Sequence, residues 1–315
     1  MQIQELLLKL NSVLSMNEDT ENHHFVNVIQ NISNNYGFKN LNDLLILLEG
    51  LANDKNIGVT YWSYIEVETL TSLQKPKTQY PDEIVFITYH QICELYFKLI
   101  IQEIALIQDN AIEVANWLKR IDRINNYLSI LINSFSVLSP KGLDSEEFNE
   151  FRKDLLPASG FQTSQFRKIE IMLTDIKNLI IDRESIHNIV TIKELYNYIY
   201  WKSGGLDQET KNKTKLLTNF EYQYDEKFIE LAEVQHSKNL YSLYFSLKEN
   251  NESKLVDIVY LKLIRLDNLL YEWKLKHFET VGEHFSKFKT SKGTGGTNAH
   301  EFLTLSMKKI KYFPI

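Results

Sequence analysis

Residues 259–277 read VYLKLIRLDNLLYEWKLKH, and the reading of this stretch decides the fold. Apolar side chains recur at Val259, Leu263, Leu266, Leu270 and Trp273, and the next place in the series belongs to His277. Alternating steps of four and three residues draw one stripe along an α-helix. A histidine where the stripe calls for an apolar residue is either a hydrogen-bonded core histidine or a metal ligand. Spacing alone favours the core histidine, because most buried polar groups are satisfied in place.

The bulk composition sets the frame for that helix. The chain has 315 residues, 43% hydrophobic and 24% charged, enough for one large domain or two small ones. Only 11 glycines and 5 prolines interrupt long periodic stretches, which predicts an all-α protein. Net charge is −6 with no basic field, so nucleic acid is not an expected partner. No run reads as a membrane-spanning helix, and no membrane partner is expected. The opening MQIQELLLKLNSVLSMNEDTE lacks a cationic start and reads as an amphipathic helix rather than a signal peptide. Cys93 stands alone, which excludes an intramolecular disulfide, a zinc ribbon and the paired cysteines of a covalent c-type haem site. A reducing cytoplasm is the expected compartment.

Residues 1–55 read as an N-terminal extension of short helices, near Gln4–Leu14, His24–Tyr36 and Leu41–Leu51, ahead of a main domain over 56–315. In VTYWSYIEVETLTSLQ (59–74), Tyr61 and Tyr64 lie one helical turn apart and by themselves read as half-buried tyrosines. Asp82 opens a long helix, DEIVFITYHQICELYFKLIIQEIALIQ, with Glu94 and Lys98 spaced for an ion pair and Phe86, His90, Cys93 and Phe97 on the apolar side. A further amphipathic helix over Ala115–Val137 carries Trp117, Ile121, Ile124, Leu128 and Leu131. FNEFRKDLLPASGFQTSQFRKIE (148–170) is broken at Pro157, turns at Ser159–Gly160 and resumes a helical pattern towards Arg167. Irregular backbone between helices tends to border a ligand. Arg167 is then either a surface arginine or a planar fork for a carboxylate. Residues 200–224 are polar and read as an insertion or small lobe, and Glu226–Leu247 as one helix. Beyond His277, Gly293, Gly295 and Gly296 surround Thr294 in a loop able to cradle an anion, without the spacing of a nucleotide-binding loop. A closing helix is expected over Ala299–Ile310.

Taken together, these segments resemble the tryptophan 2,3-dioxygenase family. The resemblance is carried by TYWSYI (60–65), DEIVFITYHQ with ELYFK (82–98), FRKDLLPASGFQTSQFR (151–167), DNLLYEWKLKH (267–277) and KGTGG (292–296), in the family's order. It implies an all-α haem dioxygenase that inserts both atoms of O2 into the indole C2–C3 bond of L-tryptophan to give N-formylkynurenine. It further implies that His277 is the axial ligand of a non-covalent haem b, ferrous when active, with Trp273, Ser159 and Gly160 beside the cofactor. By the same likeness His90 is the distal, catalytic histidine. Phe86 is an aromatic wall, Arg167 holds the substrate carboxylate, and Thr294 contacts the amino acid. Tyr61 and Tyr64 match a segment that reaches a neighbouring subunit's pocket in a homotetramer. The chain departs from the pattern in several places. The His277–GTGG interval is longer and contains His284, a second candidate that lies off the stripe. Thr297-Asn298-Ala299 stand where the family favours Ser-Ser-Gly, and Tyr96 where many members have tryptophan. Those departures leave room for a same-fold haem enzyme acting on another indole or aromatic substrate, or for a non-catalytic haem-binding protein.

Overall fold

The structure is a computed structural model and describes residues 60–155, 160–207, 210–251, 254–286 and 310–314. The chain divides into two compact units, Met1–Leu73 and Gln74–Ile315. The three expected N-terminal helices, Ser159, the loop around Thr294 and the expected closing helix lie outside the described residues.

In the first unit, α1 (Tyr61–Tyr64) and α2 (Val67–Thr71) are described. Thr60 caps α1 through its Oγ1, and Glu66 takes a left-handed conformation (φ 53°) at the joint. Tyr61 and Tyr64 are not half-buried: they are 73% and 77% exposed, with Trp62 exposed between them.

The second unit is built on three long helices: α3 (Glu83–Asp109), α4 (Val114–Ser134) and, at its far end, α11 (Leu255–Phe285). Between α4 and α11 come α5 (Ser145–Phe151), α6 (Ser164–Leu173), α7 (Ile192–Tyr196), α8 (Tyr200–Gly204), α9 (Lys215–Gln235) and α10 (Leu240–Glu249). No strand ladder occurs among the described residues, only an isolated antiparallel bridge between Leu206 and Lys213. The all-α expectation is met.

Helix α11 lies along α4, and α3 packs against α4 and α6. The α4 stripe of Trp117, Ile121, Ile124, Leu128 and Leu131 is fully buried. Its Trp117 donates Nε1–H to the Ala111 carbonyl at 2.7 Å, so the indole is buried without stranding its donor. The opposing α11 stripe of Val259, Leu263, Leu266 and Leu270 is buried as its spacing predicts. The starts of α3 and α5 are tied reciprocally. Asp144 N–H donates to the Asp82 carboxylate at 2.6 Å, and Asp82 N–H to the Glu147 carboxylate at 3.0 Å.

Three expectations need correction. First, α3 is long and apolar enough to cross a membrane on length and composition. It has the acids of a core helix, however. Glu83 is sealed and accepts from Lys77 N–H, Thr78 N–H and the Thr78 hydroxyl, and Glu103 pairs with Arg120 and Arg123, each at 3.1 Å. Second, residues 200–224 are not polar throughout: Tyr200, Trp201, Leu216, Leu217 and Phe220 are core side chains, and Thr214 caps α9. Third, the expected helix over Glu226–Leu247 is broken. Buried Asn239 caps α10 and donates to the carbonyls of Gln235 and His236, ending α9 there.

Candidate haem site

His277 sits on α11 one turn beyond Trp273, within an aromatic shell. Its ring lies 6.1 Å from Trp273 and 6.0 Å from Phe135, nearly parallel to both. Trp273 is in turn packed by Phe97 and Phe166, at 5.5 and 4.9 Å. Gly160 passes so close that a Cβ on it would lie 3.9 Å from His277 Cε1. The imidazole keeps some solvent exposure, yet protein atoms surround it densely enough that burial pushes its pKa down to about 4. The nearness of His90 adds to that shift, so the two imidazoles are electrostatic neighbours.

His90 comes from α3. Its Nδ1 is 2.7 Å from the Phe86 carbonyl oxygen, which can only accept, so Nδ1 carries the proton and Nε2 keeps a lone pair. The Phe86 ring covers His90 at 4.1 Å and is itself wedged against Phe148 and Phe151. Burial holds His90 below its ordinary pKa as well. The result is two neutral imidazoles from α3 and α11 in a largely aromatic setting.

The second candidate histidine resolves differently. His284 is 2% exposed, with Nε2 2.6 Å from the Leu138 carbonyl oxygen and Nδ1 3.0 Å from Ser145 Oγ. Both nitrogens are occupied, and it is a satisfied core histidine.

Arg167 is not a surface residue. It is 4% exposed, and its Nη1 donates to Glu170 Oε2 at 3.0 Å and to the Tyr200 hydroxyl at 3.1 Å. Lys274 also donates to Glu170, at 3.0 Å, and Tyr312 from the segment 310–314 joins the same cluster. Trp273 and Lys274 are consecutive on α11, so one turns to the histidine shell while the other turns to this charge cluster. Glu170, Lys274, Tyr200 and Tyr312 were missed from sequence, although a lysine four residues after Leu270 on a buried stripe was a usable signal. Glu94 also departs from expectation. It accepts from Thr163 Oγ1 at 2.7 Å and Gln165 Nε2 at 2.8 Å rather than pairing with Lys98, and so ties α3 to the segment that leads into α6.

The donor set suits a haem. No group of three metal-ligating side chains converges among the described residues. His277 has no hydrogen-bond contribution to its pKa, and Trp273 Nε1–H is buried without a partner among the described residues. A neutral imidazole with an uncommitted nitrogen is the kind of donor that would hold a haem iron. A separate cleft of about 510 Å³, lined by residues including Asp122, Asn126, Lys262 and Arg265, lies between α4 and α11 and contains none of these side chains.

A family model described as "Tryptophan 2,3-dioxygenase" matches residues 49–194. The chain is 28% identical over 292 residues to a tryptophan 2,3-dioxygenase of Bacillus anthracis, covering 87% of this chain and 96% of that protein. It is 25% identical over 284 residues to the corresponding protein of Arthrobacter sp. (strain FB24), covering 85% and 93%. Against the tryptophan 2,3-dioxygenase of Anaeromyxobacter sp. (strain K) it is 35% identical over 118 residues, 37% of this chain and 44% of that one. The matches run along most of its length, and the chain is similar to the tryptophan 2,3-dioxygenase family.

Proposed function

We propose that this protein is a haem-dependent dioxygenase that inserts both atoms of O2 into the indole C2–C3 bond of L-tryptophan, giving N-formylkynurenine. The observation that carries this reading is the neutral, uncommitted imidazole of His277 beside a second imidazole, His90, whose tautomer is fixed by the Phe86 carbonyl. A non-covalent haem b held by His277, ferrous when active, supplies the activation of dioxygen.

The chain's own side chains bind and orient. His90 Nε2, left with its lone pair, accepts the indole N–H. Phe86, immobilised by Phe148 and Phe151, forms one wall for the ring. Arg167 anchors the carboxylate, and Thr294 meets the ammonium end. Holding the indole in one pose is the main task, and positioning of this kind is worth several kcal/mol of a barrier, on the order of 7–11 at best. A buried arginine paired with the carboxylate discriminates against amines that lack it. The exposed Tyr61 and Tyr64 suit a segment that completes a neighbouring subunit's pocket, and a cytoplasmic homotetramer is the assembly that reading implies.

The test is direct. The protein is loaded with haem, reduced and mixed with L-tryptophan in air, and N-formylkynurenine is followed by absorbance. Haem-loaded protein that forms no product refutes the reading.

A further inference from the structure

The short 3-10 turn Gly160–Gln162, just before α6, belongs to a segment that touches both helices carrying the imidazoles. At its start, a Cβ on Gly160 would lie 3.9 Å from His277 Cε1, so the backbone there runs against the α11 imidazole. At its end it is fastened to α3. Thr163 Oγ1 donates to Glu94 Oε1 at 2.7 Å. Gln165 Nε2 donates to Glu94 Oε2 at 2.8 Å and to the Glu94 carbonyl oxygen at 2.9 Å. Glu94 lies one helical turn after His90 on α3. Residues 160–165 therefore link the His277 ring to the turn of α3 that follows His90.

Thr163 gives up a cap for this link. It holds the N-cap position of α6 in extended backbone (φ −63°, ψ 98°), where a threonine hydroxyl ordinarily accepts from a first-turn N–H. It caps nothing here, and its proton goes to Glu94. Both Glu94 carboxylate oxygens accept, and an ionised acceptor makes each bond stronger than a neutral one would. His277, by contrast, makes no hydrogen bond among the described residues. Its ring is oriented by packing against Phe135, Trp273 and the Gly160 backbone. Of these three, only Gly160 lies on the segment fastened to α3.

We propose that Glu94 and Thr163 are positioning residues for the haem site, holding the Gly160 backbone against His277 and so fixing the orientation of the imidazole. This rests on the reading of His277 as the haem-iron ligand. Neither residue touches the ring. They act through the chain between Gly160 and Thr163, and they couple the helix of the distal histidine to the ligand on α11.

The test uses full-length, haem-loaded protein and two readouts. Haem affinity is titrated at the Soret band, and the iron–histidine stretching band of the ferrous protein is recorded by resonance Raman. Thr163→Val removes the hydroxyl and keeps the shape of the side chain. Because that hydroxyl caps nothing, α6 loses only its tether. Haem affinity should fall by about tenfold, the size typical when a residue that orients a metal ligand is lost. The iron–histidine band should broaden, and Thr163→Ser, which keeps the hydroxyl, should restore both. A Thr163→Val protein with the wild-type band overturns the proposal, whatever its melting temperature. So does a Thr163→Ser protein that behaves like Thr163→Val. Should Thr163→Val fail to fold, Gln165→Ala, which removes the other donor to Glu94, decides the matter by the same two readouts. Wild-type protein with no iron–histidine band, or His277→Ala that keeps it, refutes His277 as the ligand. A band present in wild type and unaltered in the tether variants refutes only the positioning role.

Discussion

The two histidines of α11 should separate stability from haem binding. In His284→Ala, the Leu138 carbonyl and the Ser145 hydroxyl each lose a buried partner, and Phe148 loses a ring at 5.0 Å. An unsatisfied buried group costs about 1–3 kcal/mol. Two of them with the lost packing amount to roughly 3–5 kcal/mol, a large share of the 5–15 kcal/mol typical of a folded protein. At the usual urea dependence of about 3 kcal/mol per molar for a chain of this size, the unfolding midpoint of the haem-free protein should fall by roughly 1 M or more. At a temperature where it remains folded, His284→Ala should still bind haem through His277. His277→Ala should behave in the opposite way. Its ring keeps some solvent exposure and has no hydrogen bond to lose, so haem-free stability at neutral pH should change by no more than about 1 kcal/mol, while haem ligation disappears. Urea unfolding of the haem-free variants and haem titration at the Soret band check both halves. The reasoning fails if His284→Ala loses haem with its stability intact, or if His277→Ala unfolds the haem-free protein by several kcal/mol.

The same histidine sets a pH dependence. Its folded pKa is about 4 against 6.5 for the free side chain, so below pH 6.5 the unfolded chain takes up a proton that the native ring refuses, and stability falls with pH down to about 4. Between pH 6.5 and 5 this amounts to roughly 2 kcal/mol, and haem-free His277→Ala should lack that part of the slope in urea melts at the two pH values; identical slopes would count against it. Gly142→Ala should destabilise by about 2 kcal/mol or more, because a Cβ there would meet the Val137 carbonyl oxygen at 2.4 Å and the Ser136 oxygen at 2.9 Å, both backbone atoms. Gly160→Ala, whose nearest contact is 3.9 Å, should melt close to wild type, and equal melting of the two variants would contradict this account. Glu94→Ala removes the acceptor shared by Thr163 and Gln165. Amide exchange over 160–167 should quicken by about tenfold or more, for roughly 1–2 kcal/mol of lost tethering, and unchanged protection there would disprove the role given to Glu94.

The long helices were legible because their stripes are periodic and deeply buried. Trp117 through Leu131 and Val259 through Leu270 are buried on α4 and α11, which pack together. Helix breaks without a glycine or proline were not legible: Asn239 reads in sequence as one more polar residue, and its capping role comes from burial. His277 was found because it continues a stripe. His284 looked like the lesser candidate because it lies off that stripe, yet it is the more deeply buried of the two. Near its C-terminal end α11 is covered on another side, where Thr280 and His284, four residues apart, are both buried. One stripe per helix is thus too simple a reading for a central helix. The α3 helix shows the converse limit. Its outer row of Ile84, Ile92, Leu95 and Leu99 is exposed, so an apolar circumference did not by itself mean enclosure.

Arg167 is the residue whose reading changes most, from a surface arginine or a ligand clamp to a buried member of a charge cluster. Sequence offered a surface arginine or a ligand clamp. A buried guanidinium in a ligand-free pocket would carry an uncompensated charge at a cost of several kcal/mol. It therefore needs a resident carboxylate. Were Glu170 the partner of Arg167 alone, a ligand carboxylate would have to compete with it for the same cation. Lys274 removes that conflict. Burial alone would raise the Glu170 carboxyl, but Lys274 and then Arg167 outweigh it and hold it below the ordinary carboxylate range. Glu170 thus stays ionised on the strength of both cations and two hydroxyls. A single glutamate held by two cations and two hydroxyls is how this core keeps Arg167 and Lys274 charged and buried together.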